Sequence, residues 1–117
     1  MSELYIGTLS GTSVDGIDAA LVRFSPEPEL IATHCAPFPP ALRETVLSLC
    51  RPGENEIDRL GQADVLIGQA MAQAVQALLA QTTFTARDIC AIGSHGQTIR
   101  HRPKFTPAFT LQIGDPN

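Results

Sequence analysis

The 117 residues suffice for one domain, and 44% hydrophobic residues can fill a core, which excludes a disordered chain. Eight basic residues against 12 acidic ones leave a net charge of −4, with no basic cluster beyond residues 100–104, which argues against a general nucleic-acid or anionic-membrane surface. Residues 1–6 lack a basic leader region, and no apolar run approaches the roughly 20 residues of a bilayer span, so a cytoplasmic protein is expected.

Residues 4–10 read as a short, largely buried strand and residues 18–24 as another, with Asp18, Ala20 and Val22 on one side and Ala19, Leu21 and Arg23 on the other. The Asp15-Gly16 pair between them is a hairpin signal, because both positions tolerate positive φ. After the turn Ser25-Pro26-Glu27-Pro28, residues 30–35 return as a third strand and complete an antiparallel three-stranded meander. Pro39-Pro40 suits the start of a helix over residues 41–50 with Leu42, Val46 and Leu49 on one face.

The longest helix is predicted from Glu56 to about Gln81, where Ile57, Leu60, Ile67, Met71, Val75 and Leu78 recur at helical spacing. Gly61 and Gly68 inside it imply close approach by another element, since each costs roughly 1 kcal/mol against alanine. Residues 89–93 read as a buried strand entered from a helix, hence parallel to a neighbour. A polar loop is expected next, with residues 100–108 also in a loop, and then a strand over 109–113. Asp115-Pro116 resembles a helix start. The class is α/β, in one compact unit.

The three cysteines, Cys35, Cys50 and Cys90, are odd in number and form no CxxC pair, so buried reduced thiols are expected rather than disulfides or zinc. His34, His95 and His101 make no ligand set, and no metal-ligating residues are assigned.

Two segments carry the chemistry. The first is Gly11, Thr12, Ser13, Val14, Asp15, Gly16, Ile17 and Asp18, where glycines let the backbone approach a ligand and amides and hydroxyls can face phosphate oxygens. It has neither the lysine nor the following helix of a Walker A loop, so positive charge must come from Mg²⁺ or elsewhere, with Asp15 and Asp18 able to hold its waters. An ordinary hairpin turn has the same composition. The second is the stretch after the buried strand, where His95, Gln97 and Thr98 offer hydrogen bonds suited to sugar hydroxyls. A plain polar loop would look alike. Ser94 and His95 point to opposite faces of a strand and cannot form a nucleophile and base pair. Asp64 reads as a flank residue held by a nearby donor, or as a functional carboxylate. Arg100, Arg102 and Lys104 read as a solvated patch or as a contact for a substrate carboxylate.

The blocks Ile6-Gly7-Thr8-Leu9-Ser10-Gly11-Thr12-Ser13-Val14-Asp15-Gly16-Ile17-Asp18, Ser94-His95-Gly96-Gln97-Thr98-Ile99 and Thr110-Leu111-Gln112-Ile113-Gly114 together resemble the anhydro-N-acetylmuramic acid kinase family. The resemblance implies a ribonuclease H-like lobe of the actin, hexokinase and Hsp70 type, truncated, with residues 1–117 as the amino-terminal lobe segment of a two-lobed kinase. It implies ATP and Mg²⁺ at residues 11–18, and a sugar near His95, Gln97 and Thr98. The reaction implied opens 1,6-anhydro-N-acetylmuramic acid with water and phosphorylates O6, in bacterial peptidoglycan recycling. No catalytic residue is assigned here, because the general base of that family is expected beyond Asn117. Two other readings remain: an actin-like ATPase or acetate-type kinase with a non-sugar substrate, and a non-catalytic nucleotide-binding module. The sequence leaves the oligomeric state open, a homodimer included.

Overall fold

A computed structural model describes residues 3–117. Its five-stranded sheet has the order β3-β2-β1-β4-β5. Strands β1 (Leu4–Ser10), β2 (Gly16–Arg23) and β3 (Glu29–Pro37) form the expected antiparallel meander. Strand β4 (Ile89–Arg102) runs parallel to β1, and β5 (Phe109–Ile113) turns back antiparallel to β4. Helices α1 (Pro40–Leu49) and α2 (Glu56–Ala80) supply the second layer.

Alternation along the strands decides which face the helices cover. Leu4, Ile6, Thr8 and Ser10 of β1 are buried, as are Ile17, Ala19 and Leu21 of β2, while Gly7, Leu9 and Asp18 point to the other side and are exposed. One apolar cluster joins the buried strand residues to Leu42, Val46 and Leu49 of α1 and to Ala63, Ile67, Met71 and Leu78 of α2. Among the described residues, nothing packs over the opposite face.

Several expectations change. The buried stripe of α2 runs through Ala63, Ile67, Met71, Ala74, Val75 and Leu78, whereas Ile57 in its first turn is 86% exposed. This helix is also long and apolar enough in composition to cross a bilayer, contrary to the sequence reading, although its apolar stripe lies in the core cluster. Close approach explains Gly68, where an added Cβ would lie 2.0 Å from the Asp115 carbonyl oxygen, but Gly61 faces open space. The cysteines are not buried: Cys35 and Cys90 are exposed and Cys50 is intermediate. Cys35 pairs with Asp18 on the uncovered sheet face, which accounts for its exposure.

The polar stretch after residue 93 is strand, not loop. β4 continues to Arg102 because residues up to Gln97 pair with β1 and those from Gln97 onward pair with β5. The register slips where Thr8 and Ser10 pair with Ser94 and Gln97, so His95 and Gly96 together oppose Leu9 as a bulge. Gly96 sits there at φ 79° against the Ile113 carbonyl oxygen, with only 2.6 Å available for a Cβ. The true loop between β4 and β5 begins at Pro103. The start-of-helix signal at Asp115 appears as its characteristic bond, the Asn117 backbone N–H donating to Asp115 Oδ1 at 2.9 Å.

Candidate functional site

Residues 11–15 cross from the carboxyl end of β1 to β2, at the end of the sheet where the parallel strands β1 and β4 meet. The Val14 N–H donates to the Gly11 carbonyl oxygen at 3.1 Å and closes a tight turn. Positive φ falls on Val14 at 56°, not on Asp15 or Gly16 as the sequence suggested. Burial is the reason: the Val14 side chain has no exposed surface and belongs to the core, so apolar packing holds a β-branched residue in a conformation it rarely adopts. Gly16 is required for another cause, since a Cβ there would meet the Ala36 carbonyl oxygen on β3 at 2.9 Å. Gly11 has nothing within 4 Å of a Cβ position and opens to solvent.

Thr12, Ser13 and Asp15 are exposed, and among the described residues their backbone N–H groups have no protein acceptor. The direction of the first of these follows from a planar trans peptide, in which C=O and N–H point oppositely. The Gly11 carbonyl oxygen is turned inward, accepting from Val14 and, at 3.2 Å, from Gln97 Nε2, so the Thr12 N–H is turned outward. Ile17 is buried and Gly16 is paired with Pro37 in the sheet, so the exposed groups of this segment are the hydroxyls of Thr12 and Ser13, the free amides, and the carboxylates of Asp15 and Asp18.

The three residues expected beside a sugar are placed differently from one another. His95 is exposed at the bulge, while Thr98 is half-buried and accepts from Gln112 Nε2 at 3.0 Å. Gln97 is fully buried, and its amide is committed: Oε1 accepts from Ser10 Oγ, and Nε2 donates to the Gly11 and Thr98 carbonyl oxygens. Its role in this geometry is to support the turn from behind. Ser94 faces Met71 on α2 with Oγ 3.1 Å from Sδ, on the opposite side from His95.

The remaining polar residues serve the scaffold. Asp64 Oδ1 accepts from the Gly114 N–H at 2.6 Å and tethers the end of β5 to α2. Arg100 donates to the Leu49 carbonyl oxygen at 3.0 Å and pairs with Glu56, joining β4 to the end of α1 and the start of α2. Arg102 lies over the Phe105 ring at 5.6 Å.

The family model for anhydro-N-acetylmuramic acid kinase matches residues 3–117, essentially the whole chain. The chain belongs to the anhydro-N-acetylmuramic acid kinase family. It is 55% identical to the anhydro-N-acetylmuramic acid kinase of Shewanella frigidimarina over 116 residues, covering 98% of this chain and 31% of that protein. The proteins of the same name from Shewanella sp. (strain W3-18-1) and Shewanella amazonensis are 54% and 50% identical, each with 97% of this chain and 31% of the relative covered. The chain thus spans about a third of the length of these kinases.

Within this family member, sequence reasoning missed Arg43. From α1 its Nε donates to the Val14 carbonyl oxygen at 3.0 Å, Nη2 lies 3.5 Å from the Ser13 carbonyl oxygen, and the Asp15 carboxylate is 3.9 Å away. No motif marks it, because its partners are backbone atoms 29 and 30 residues earlier. The one usable signal was position: Arg43 stands one residue after Leu42, and so beside the face of α1 that carries the buried Leu42 and Val46.

Proposed function

We propose that the protein carrying this chain is an ATP-dependent kinase acting on 1,6-anhydro-N-acetylmuramic acid in cytoplasmic recycling of cell-wall sugars. Water adds at C1, the C1–O6 bond breaks, and O6 takes the γ-phosphoryl group, leaving ADP and N-acetylmuramic acid 6-phosphate. In this reading residues 1–117 are the amino-terminal lobe segment, the turn at 11–15 receives the nucleotide phosphates, and the general base comes from outside the chain.

The observation that carries the reading is the group of free amides and hydroxyls at Thr12, Ser13 and Asp15, supported from behind by buried Gln97. Preorganised donors of this kind stabilise phosphoryl oxygens without reorganising during transfer. The sugar is proposed to lie towards His95, with Gln97 and Thr98 shaping that side from within the sheet. Of the two carboxylates expected to hold the waters of Mg²⁺, Asp15 is exposed in the turn, whereas Asp18 lies within β2 on the uncovered sheet face beside Cys35. Asp15 is therefore the one that would meet an ion bound to the phosphates; Mg²⁺ commonly keeps several waters while using one or two carboxylates plus phosphates. Bound there, it would neutralise phosphate charge.

The test is phosphate transfer by the full-length protein, supplied with ATP and the anhydro sugar. Gly11→Val places a side chain in open space on the ligand side, so it should lower turnover about tenfold or more with unchanged unfolding behaviour. Asp15→Ala should do likewise. Normal turnover in both variants removes the turn from the mechanism, and ADP release that ignores the sugar refutes the substrate.

A further inference from the structure

We propose that Arg43 is a positioning residue for ATP, acting through the peptide planes of the turn and not on the reacting atoms; the inference rests on the kinase reading above.

Two carbonyls, those of Ser13 and Val14, face one guanidinium, with the closer contact at 3.0 Å from Nε and the longer at 3.5 Å from Nη2. Fixing the Val14 carbonyl toward α1 fixes the rest of that peptide unit, because the unit is planar and trans. The Asp15 N–H is thereby directed away from the helix. The Ser13 carbonyl is held in the same manner, and the N–H of its peptide unit, that of Val14, is already engaged with Gly11.

Val14 explains why such a clamp is needed. At φ 56° a β-branched residue is strained, and its buried side chain anchors Cα and Cβ without setting the direction of the following peptide plane. Arg43 supplies that second constraint. The carbonyl ends of the two peptide dipoles meet its positive charge, which leaves a positive N–H end at Asp15 facing outward, the polarity a phosphate requires. The neighbouring ion pair contributes little, since Asp15 is 3.9 Å away and the two side chains are 44% and 77% exposed. Arginine suits the task because one rigid fork offers donors to two acceptors at once, whereas lysine is a single flexible charge.

The deciding experiment is steady-state kinetics on the full-length protein, with ATP and anhydro sugar varied separately. Arg43→Ala should raise the KM for ATP about tenfold while the sugar KM changes less than about twofold, and Arg43→Lys should recover only part of the loss. Unfolding midpoints are measured alongside. An unchanged ATP KM in Arg43→Ala overturns the proposal. So does an equal rise in both KM values with a lowered midpoint, which marks a merely structural residue, and so does full recovery by lysine, which shows that charge alone suffices. Gly11→Val separates the two levels of inference: if it impairs ATP use and Arg43→Ala does not, only the role of Arg43 falls. If wild-type protein transfers no phosphate, both fall.

Discussion

Gln97 on β4 is hydrogen-bonded through Oε1 to Ser10 Oγ at the end of β1, across 87 positions of sequence, and both side chains are buried. The same amide reaches the Gly11 and Thr98 carbonyl oxygens, so one side chain ties the two parallel strands together just beyond the bulge at His95 and Gly96. A bond that sets the base of the turn also sets where its amides point.

Replacing Gln97 by leucine keeps much of the volume but leaves the Ser10 hydroxyl and the inward Gly11 carbonyl short of partners. Gln97→Leu should therefore cost about 1–3 kcal/mol in urea unfolding of the full-length protein. In the Gln97→Leu/Ser10→Ala double variant the loss should be smaller than the sum of the single losses, because one orphaned group is gone. Strict additivity would show that the bond contributes nothing of its own.

The meander and both helices were legible from alternation, prolines and the 3.6-residue stripe, since each signal is local. What was not legible depended on distant partners. His95, Gln97 and Thr98 looked like loop residues because glycine and polar side chains dominate residues 93–98, yet pairing with β1 and β5 makes them strand. Val14 read as one more member of the phosphate-binding segment, and only core packing explains why it takes the positive φ that Asp15-Gly16 advertised. The resemblance assigned residues 11–18 to the ATP phosphates, but could not reveal that Arg43 and Gln97 hold the turn from two sides.

Cys35 and Asp18 give a pH-dependent readout of the uncovered sheet face. They are cross-strand partners, and the Cys35 thiol is pushed above its ordinary pKa first by Asp18 as hydrogen-bond acceptor, then by the negative charge of Asp18, then by burial. A raised pKa means less thiolate at a given pH, and the thiolate is the nucleophile. Asp18→Asn should lower the Cys35 pKa and speed its alkylation at pH 8 by about twofold or more, followed by mass spectrometry of the Cys35 peptide in the 117-residue chain. An unchanged rate would mean that Asp18 does not control this thiol.

Gly61 and Gly68 occupy the same helix and should respond to alanine with opposite signs. Alanine is favoured over glycine in a helix interior by roughly 0.5–1 kcal/mol, because glycine loses more backbone freedom on folding. At Gly61 nothing lies within 4 Å of the new Cβ, so Gly61→Ala should realise that gain. At Gly68 the Cβ would sit 2.0 Å from the Asp115 carbonyl oxygen and 3.0 Å from its carbon, both backbone atoms that cannot turn aside as a side-chain tip could. The same segment is bound to α2 by the Gly114 N–H to Asp64 Oδ1 and by the Asp115 N–H to the Asp64 carbonyl oxygen at 3.0 Å. Gly68→Ala must push the segment off the helix and stretch those two bonds, so a net loss of about 1–3 kcal/mol is expected despite the helical gain. Denaturant unfolding of the two variants decides the matter: stabilisation by Gly68→Ala comparable to that by Gly61→Ala would show that the crossing of Asp115 over α2 is not held closely.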